Sequence, residues 1–307
     1  MTLRDLRIVT GADHRPAGMQ AGRRGDRPGT DVPRDDGFIA GRLSRPLRDP
    51  SAAARGRAGD RHLRVLLLAG TADARQIASA LIREPGVQTR AALARAERRP
   101  IPLGVPIRIG GWGGRAAFAD WLVREGIGAV IDATHPFAAR MSHRAAEVAD
   151  DLGIEYIRFL RPAWRPGEGD RWIFLSSPAA AAGHIAPDAR VFLVTGRPAL
   201  ADFASLEGRT VFCRTTDSAP DRFPFSEGRF LGGVPPFAVE DEIATLADLG
   251  IDWLVVHNTG GTEGHAKLDA ARALGIPVAM LRRPAPPEGV IRCETLSEVM
   301  AWVRRRV

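Results

Sequence analysis

Cysteine is scarce in this chain: Cys213 and Cys293 are its two thiols, far apart and without metal-ligand spacing. Two such residues give neither a disulfide framework nor a structural zinc site, and they read as reduced thiols. Lysine is scarcer still. Of 43 basic side chains one, Lys267, is lysine, a bias that together with abundant Ala, Gly and Pro reads as genome composition and marks Lys267 for inspection. Long apolar runs are also missing, for no stretch approaches the roughly 20 residues of a membrane-spanning helix. Arg23-Arg24 is followed by Gly, Asp and Pro, which does not make an export signal. The expected location is the cytoplasm, with no membrane partner.

The net charge of +7 thins out when divided along the chain. Residues 1–61 hold 13 Arg and 8 Asp, a balance of +5, which leaves +2 for the following 246 residues. A nearly neutral body gives no reason to propose a nucleic-acid-binding stripe, and RNA binding by the arginines of residues 1–61 is left as a minor alternative. Residues 1–61 show neither helical nor strand periodicity and cannot bury enough apolar surface to offset their ordering entropy. They are expected to be a disordered extension or the artefact of an upstream start.

Regular patterning begins at Leu63. Short apolar runs, Arg64–Leu68, Val87–Leu93, Ala129–Ile131 and Ile154–Phe159, alternate with helical stretches near Ala72–Arg83 and Ala138–Leu152. A second series follows: strands at Val191–Val194, Thr210–Arg214, Trp253–His257 and Val278–Leu281, helices at Val239–Leu249, Ala266–Leu274 and Ser297–Arg306. Continuous apolar strands alternating with helices predict parallel sheets covered on both faces. The expected fold class is α/β, with two doubly wound domains, 62–178 and 179–307, and a cleft between them.

In such sheets ligands bind beyond the carboxyl ends of the strands, so those loops carry the candidate chemistry. After the first strand stand Gly70, Thr71, Asp73 and Arg75. A glycine turn into a helix N-terminus suits a phosphate, although a plain strand-to-helix turn uses the same residues. After the second strand stands Arg95, with Arg98 and Arg99 behind it, where an acidic residue would mark an NAD site. Guanidinium groups there suit the 2′-phosphate of NADPH. Gly110, Gly111, Gly113 and Gly114 around Trp112 bring backbone close to a cofactor or to a neighbouring helix.

Asp132-Ala133-Thr134-His135-Pro136-Phe137-Ala138 follows a buried strand, with Thr134 set for the cofactor and His135 for hydrogen bonding or proton transfer. A capping or packing histidine is the plainer reading. Arg161 and Trp164 follow the fourth strand, Thr195, Gly196 and Arg197 the first strand of the second series, and Arg214 the next. Arginines sharing one edge of a protein with little net charge suggest a substrate carrying several carboxylates. His257, Asn258, Thr259, Gly260 and Gly261 end the strand Trp253–Val256, and Lys267 follows on the next helix.

Taken in this order, LLLAGTADAR, GGWGG, IDATHPFA, RPAW, TGR, NTGG, KLDAARALGIPV and RRP resemble the precorrin-6A reductase family, with its cobalt-precorrin-6A counterparts, from about Leu63 to Pro284. IDATHPFA, residues 131–138, is the most diagnostic. The resemblance implies two Rossmann-like domains and hydride transfer from NADPH to a double bond of a tetrapyrrole, with a proton added at the neighbouring carbon. It also implies a polycarboxylate macrocycle in the cleft and hand-over to neighbouring pathway enzymes by a monomer or small homo-oligomer. His135 and His257 are the candidate proton donors. The chain departs from the family pattern where His257-Asn258-Thr259 replaces Lys-Asn/Asp-Ser, where Val234-Pro235-Pro236-Phe237 replaces Gly-Pro-Phe, and where no Gly precedes Arg95. Two other readings remain open: an NADPH-dependent reductase of another polycarboxylate, and a non-catalytic NADPH sensor.

Overall fold

The structure, a computed structural model, describes residues 62–94, 103–216 and 222–307. The expectations for residues 1–61 and for Arg95, Arg98 and Arg99 fall outside these ranges.

Twelve strands among the described residues form two six-stranded sheets in which every pairing is parallel. The first sheet contains β1 (Leu63–Leu68), β2 (Val87–Leu93), β3 (Ile107–Ile109), β4 (Ala129–Asp132), β5 (Glu155–Phe159) and β12 (Ile291–Cys293), in the order β12-β5-β4-β1-β2-β3. Helices α1 (Ala72–Ile82), α2 (Arg115–Arg124), α3 (Ala139–Leu152) and α6 (Leu296–Arg304) accompany it. The second sheet is ordered β6-β11-β10-β7-β8-β9, from β6 (Trp172–Leu175), β7 (Arg190–Val194), β8 (Thr210–Thr215), β9 (Gly228–Gly232), β10 (Trp253–His257) and β11 (Val278–Leu281). It is covered by α4 (Val239–Asp248), α5 (Ala266–Leu274) and the 3-10 segments Pro178–Gly183 and Arg197–Leu206.

Alternate residues of each strand feed opposite cores, which is why the strands read as unbroken apolar runs. In β1, Val65 and Leu67 join Ile77, Leu81, Val299 and Trp302 from α1 and α6, while Leu66 and Leu68 join Phe118, Leu122 and Val148 from α2 and α3. In the second sheet, Val191 and Leu193 meet Leu200, Phe203 and Leu206 of the 3-10 segment, and Phe192 meets Leu246 and Leu268 of α4 and α5. Polar side chains set the helix starts. Thr71 caps α1 by accepting from the Ala74 N–H, and Thr295 and Glu298 form a reciprocal capping box at α6.

The sheets do not divide where the chain was expected to. Trp172–Leu175, placed by expectation before the cut at 178, pairs with β11 as the edge of the second sheet. Ile291–Cys293 and the closing helix, placed with 179–307, return to the first sheet, where β12 pairs with β5. The chain therefore crosses between the sheets at 160–171, back at 282–290, and the first sheet is assembled from both ends of the folded body. Helix ends shift by one or two residues from expectation, and β3, β6, β9 and β12 were not foreseen.

Candidate active site

Strand order reverses between β1 and β4 in the first sheet and between β7 and β10 in the second. The crevices at such reversals are where doubly wound sheets hold ligands. Here the loops from both reversals meet. Phe137, from the β4–α3 loop, stacks on the His257 ring at the end of β10 with centroids 3.9 Å apart, and His135 meets the same ring edge-on at 5.9 Å.

On the first sheet, Gly70 leads into the capped N-terminus of α1, and Thr71 Oγ1 also donates to the Ala133 carbonyl at 3.0 Å, tying the β1 loop to the β4 loop. Asp73 and Arg75 occupy the first turn of α1. Gly110 and Gly111 lie past β3, their carbonyls each accepting from Arg108 at 2.8 Å, while Trp112 turns into the core against Phe118 and Trp121. A Cβ built on Gly70, Gly110 or Gly111 meets nothing within 4 Å. At Gly70 this bare backbone leads into a helix N-terminus, an arrangement that fits a phosphate group.

The loop after β4 is built on buried charge. Arg158, in β5, pairs with Asp132, and their side chains are 3% and 0% exposed. Arg158 also donates to Thr134 Oγ1 at 3.0 Å and to the His135 carbonyl at 3.2 Å. Tyr156 donates to the second Asp132 oxygen at 2.8 Å, and burial together with that carboxylate pushes the phenol far above its ordinary range. His135 Nδ1 accepts the Phe137 N–H at 3.2 Å, which places the proton of the neutral ring on Nε2. Burial, with Arg161, Arg158 and Arg283 facing the ring, pushes the His135 imidazole down to about 4. Burial, with His135 beside it, does the same to His257, again to about 4.

On the second sheet, Asn258 is buried and forms a reciprocal pair with the Trp164 backbone, accepting its N–H at 2.8 Å and donating to its carbonyl at 3.0 Å. The Trp164 indole donates to the Gly261 carbonyl at 2.7 Å. Arg161 pairs with Asp73 and donates from Nε to the Thr259 carbonyl at 3.0 Å. A Cβ on Gly260 would stand 2.0 Å from the Pro162 carbonyl oxygen, so glycine is what lets these two loops touch. Thr195 Oγ1 is buried with no hydrogen-bond partner among the described residues, Gly196 adopts φ +81°, and the Arg197 guanidinium lies 4.1 Å over Phe230. Arg214 is held between Phe192 and Phe237 and pairs with buried Glu242. Lys267 lies 5.6 Å from the Trp164 ring, and burial pushes its ammonium down to about 8 against the pull of Glu242. A cavity of about 340 Å³ opens where the sheets meet, between Asp73, Gln76, Phe159, Arg161, Gly261 and Glu294.

Three groups here were not foreseen. Arg158 and Glu242 are interior charges in otherwise apolar surroundings, and Arg283 donates to the carbonyls of Asn258, Arg161, Thr259 and Pro162. Three of the cleft arginines, Arg158, Arg161 and Arg214, already have carboxylate partners. The charge left for an anionic ligand is therefore smaller than a count of arginines suggests.

The family model described as precorrin-6x reductase CbiJ/CobK matches residues 64–304. The chain belongs to this family. The matched span includes β12 and α6, in keeping with their place in the first sheet. Among curated relatives, the precorrin-6A reductase of Rhodococcus erythropolis is 41% identical over 243 residues, covering 78% of this chain and 97% of that protein. The precorrin-6A reductase of Mycobacterium tuberculosis is 40% identical over 247 residues, covering 78% and 97%. A solved structure of CobK precorrin-6A reductase superposes with a TM-score of 0.74 at 37% identity, covering 79% of this chain and 96% of that one. Cobalt-precorrin-6A reductases are more distant, the one from Synechocystis at 27% identity. Among the described residues no helix is long and apolar enough to cross a membrane, and no group of three or more His, Cys, Asp or Glu side chains is arranged to hold a metal ion.

Proposed function

We propose that this chain is an NADPH-dependent precorrin-6A reductase of cobalamin biosynthesis, working in the cytoplasm. One observation carries the reading: the β1 and β4 loops that suit a dinucleotide meet the β10 loop of the second sheet at the His135–Phe137–His257 contact. The names and identities of the relatives support the same reaction. Gly70, Thr71, Asp73, Arg75, Arg95, Gly110, Gly111 and Thr134 hold the cofactor. His135, Arg161, Trp164, Thr195, Gly196, Arg197, Arg214, Asn258, Thr259, Gly260, Gly261 and Lys267 form the substrate side.

NADPH, when bound, supplies the hydride for one carbon of the macrocycle double bond. The chain's own part is to bind, orient and exclude water. The α1 N-terminus receives phosphate, and Arg161, Arg283 and Lys267 meet substrate carboxylates. In the free protein burial, with Arg161, Arg158 and Arg283 facing the ring, keeps His135 neutral, a donor through Nε2. His135 therefore meets the substrate as a neutral Nε2–H hydrogen-bond donor at the place where the neighbouring carbon takes its proton.

The test mixes purified protein, NADPH and precorrin-6A, and follows nicotinamide absorbance together with the tetrapyrrole spectrum. Matched loss of both signals, slower with NADH, is the expected result. NADPH binding without turnover, on metal-free and cobalt-containing substrate alike, would replace the enzyme with a nucleotide sensor.

A further inference from the structure

Beyond the groups that face the cleft, one fully enclosed charge is wired into the loop that carries the chemistry. We infer that Arg158 is a positioning residue, which presets the Thr134 hydroxyl and the His135 ring for reaction through a fork held by Asp132 and Tyr156. The inference rests on the reductase reading and deepens it.

The wiring is specific. Arg158 Nη1 reaches the Asp132 carboxylate and its carbonyl oxygen and Thr134 Oγ1, and Nη2 reaches the His135 carbonyl. Asp132 is in turn fixed by the Tyr156 hydroxyl and by the Thr134 N–H at 3.0 Å. Thr134 Oγ1 accepts from Arg158, which orients the hydroxyl and leaves its own proton to donate elsewhere. With the His135 carbonyl pinned, the turn that brings the Phe137 N–H onto His135 Nδ1 is pinned as well, and this fixes the Nε2–H tautomer. A planar fork does this and a point charge does not: an ammonium at the same place can satisfy Asp132 but cannot also hold an oxygen on each side. A buried ion pair is a poor device for stability, since a well-packed apolar pair serves as well or better. The pair is therefore better explained by the groups it orients.

Arg158→Lys keeps the buried charge, and the double variant Asp132→Asn/Arg158→Gln removes both charges without leaving one unpaired. For each, the folded fraction is measured by circular dichroism and the active fraction by NADPH-binding stoichiometry. Per active site, kcat with precorrin-6A should fall about 10- to 100-fold, while KM changes less than about threefold, as expected when reacting groups are misplaced and binding is spared. Nitrogen-15 spectra of the His135 ring should show a single Nε2–H tautomer in the wild type and mixed tautomers in both variants. A merely structural Arg158 would lower the folded fraction and leave kcat per active site and the tautomer unchanged, and that result overturns the inference. If Arg158→Lys fails to fold, the double variant decides. If the wild type turns over no precorrin-6A, the reductase reading falls, and the tautomer spectra still decide the role of Arg158.

Discussion

Arg161 and Asp73 form an ion pair that joins the end of β5 to the first turn of α1, with side chains 16% and 22% exposed. The pair binds a residue proposed to contact substrate to one proposed to contact cofactor. Arg161 also donates from Nε to the Thr259 carbonyl, and its Nη2 makes no hydrogen bond among the described residues. That nitrogen is available for a substrate carboxylate.

Replacing Arg161 by lysine keeps the charge and the Asp73 attraction but loses the fork. KM for precorrin-6A should rise about tenfold, equivalent to ~1.4 kcal/mol, with NADPH affinity changing much less. Steady-state kinetics with the tetrapyrrole as varied substrate measures this. An unchanged KM would mean that Arg161 serves the Asp73 pair alone.

Acid should weaken the fold through two imidazoles. His135 and His257 titrate near 4 in the folded protein, below the ordinary value of 6.5. Between those values the unfolded chain takes up protons that the folded chain refuses, so stability is full above about pH 6.5 and falls as pH drops toward 4. Each drop from 6.5 to about 4 corresponds to about 3 kcal/mol, at ~1.4 kcal/mol per unit. Urea midpoints across this window check it. The double variant His135→Gln/His257→Gln should show a flatter profile there, and an equally steep one would assign the acid sensitivity to other groups.

How much of this was legible in the sequence follows from which strands are central. β1, β4, β7 and β10 are buried on both faces, and their apolar runs are plain in the chain. β3, β6 and β12 are edge strands of three or four residues with at most one buried position each, so they carry too little periodicity to be recognised. The cross-over of β12 and α6 leaves no local mark, because parallel pairing is set by tertiary contacts far apart in sequence. The site loops were readable because they follow the central strands. Arg158 and Glu242 were not, since a charged residue within a strand or on a helix reads as solvated; the available signal was Arg158 standing among Tyr156, Ile157 and Phe159, a run otherwise buried.

Because α6 belongs to the first sheet, damage there should act on that sheet first. Trp302 is 1% exposed and packs in the same core as Val65, Ile77 and Ile131. Trp302→Ala should cost about 3–5 kcal/mol through lost burial and the cavity left behind. Hydrogen exchange should quicken in β1 and β4 before β7 and β10. Faster exchange in the second sheet first would contradict the pairing of β12 with β5.

Two glycines separate a backbone needed by the fold from one needed by a ligand. At Gly260, φ is +68° and a Cβ would overlap the Pro162 carbonyl oxygen and the Arg283 guanidinium, so Gly260→Ala should lose at least about 3 kcal/mol in urea unfolding, backbone strain and the clash acting together. At Gly70, φ is +152° but the position of a Cβ faces open space. Gly70→Ala should therefore cost the protein only about 1 kcal/mol, the backbone term alone. If phosphate occupies that space, the added methyl stands against it, and the dissociation constant for NADPH should rise about tenfold or more, as read by fluorescence titration. Equal NADPH affinity in Gly70→Ala and wild type would move the dinucleotide away from the β1–α1 turn.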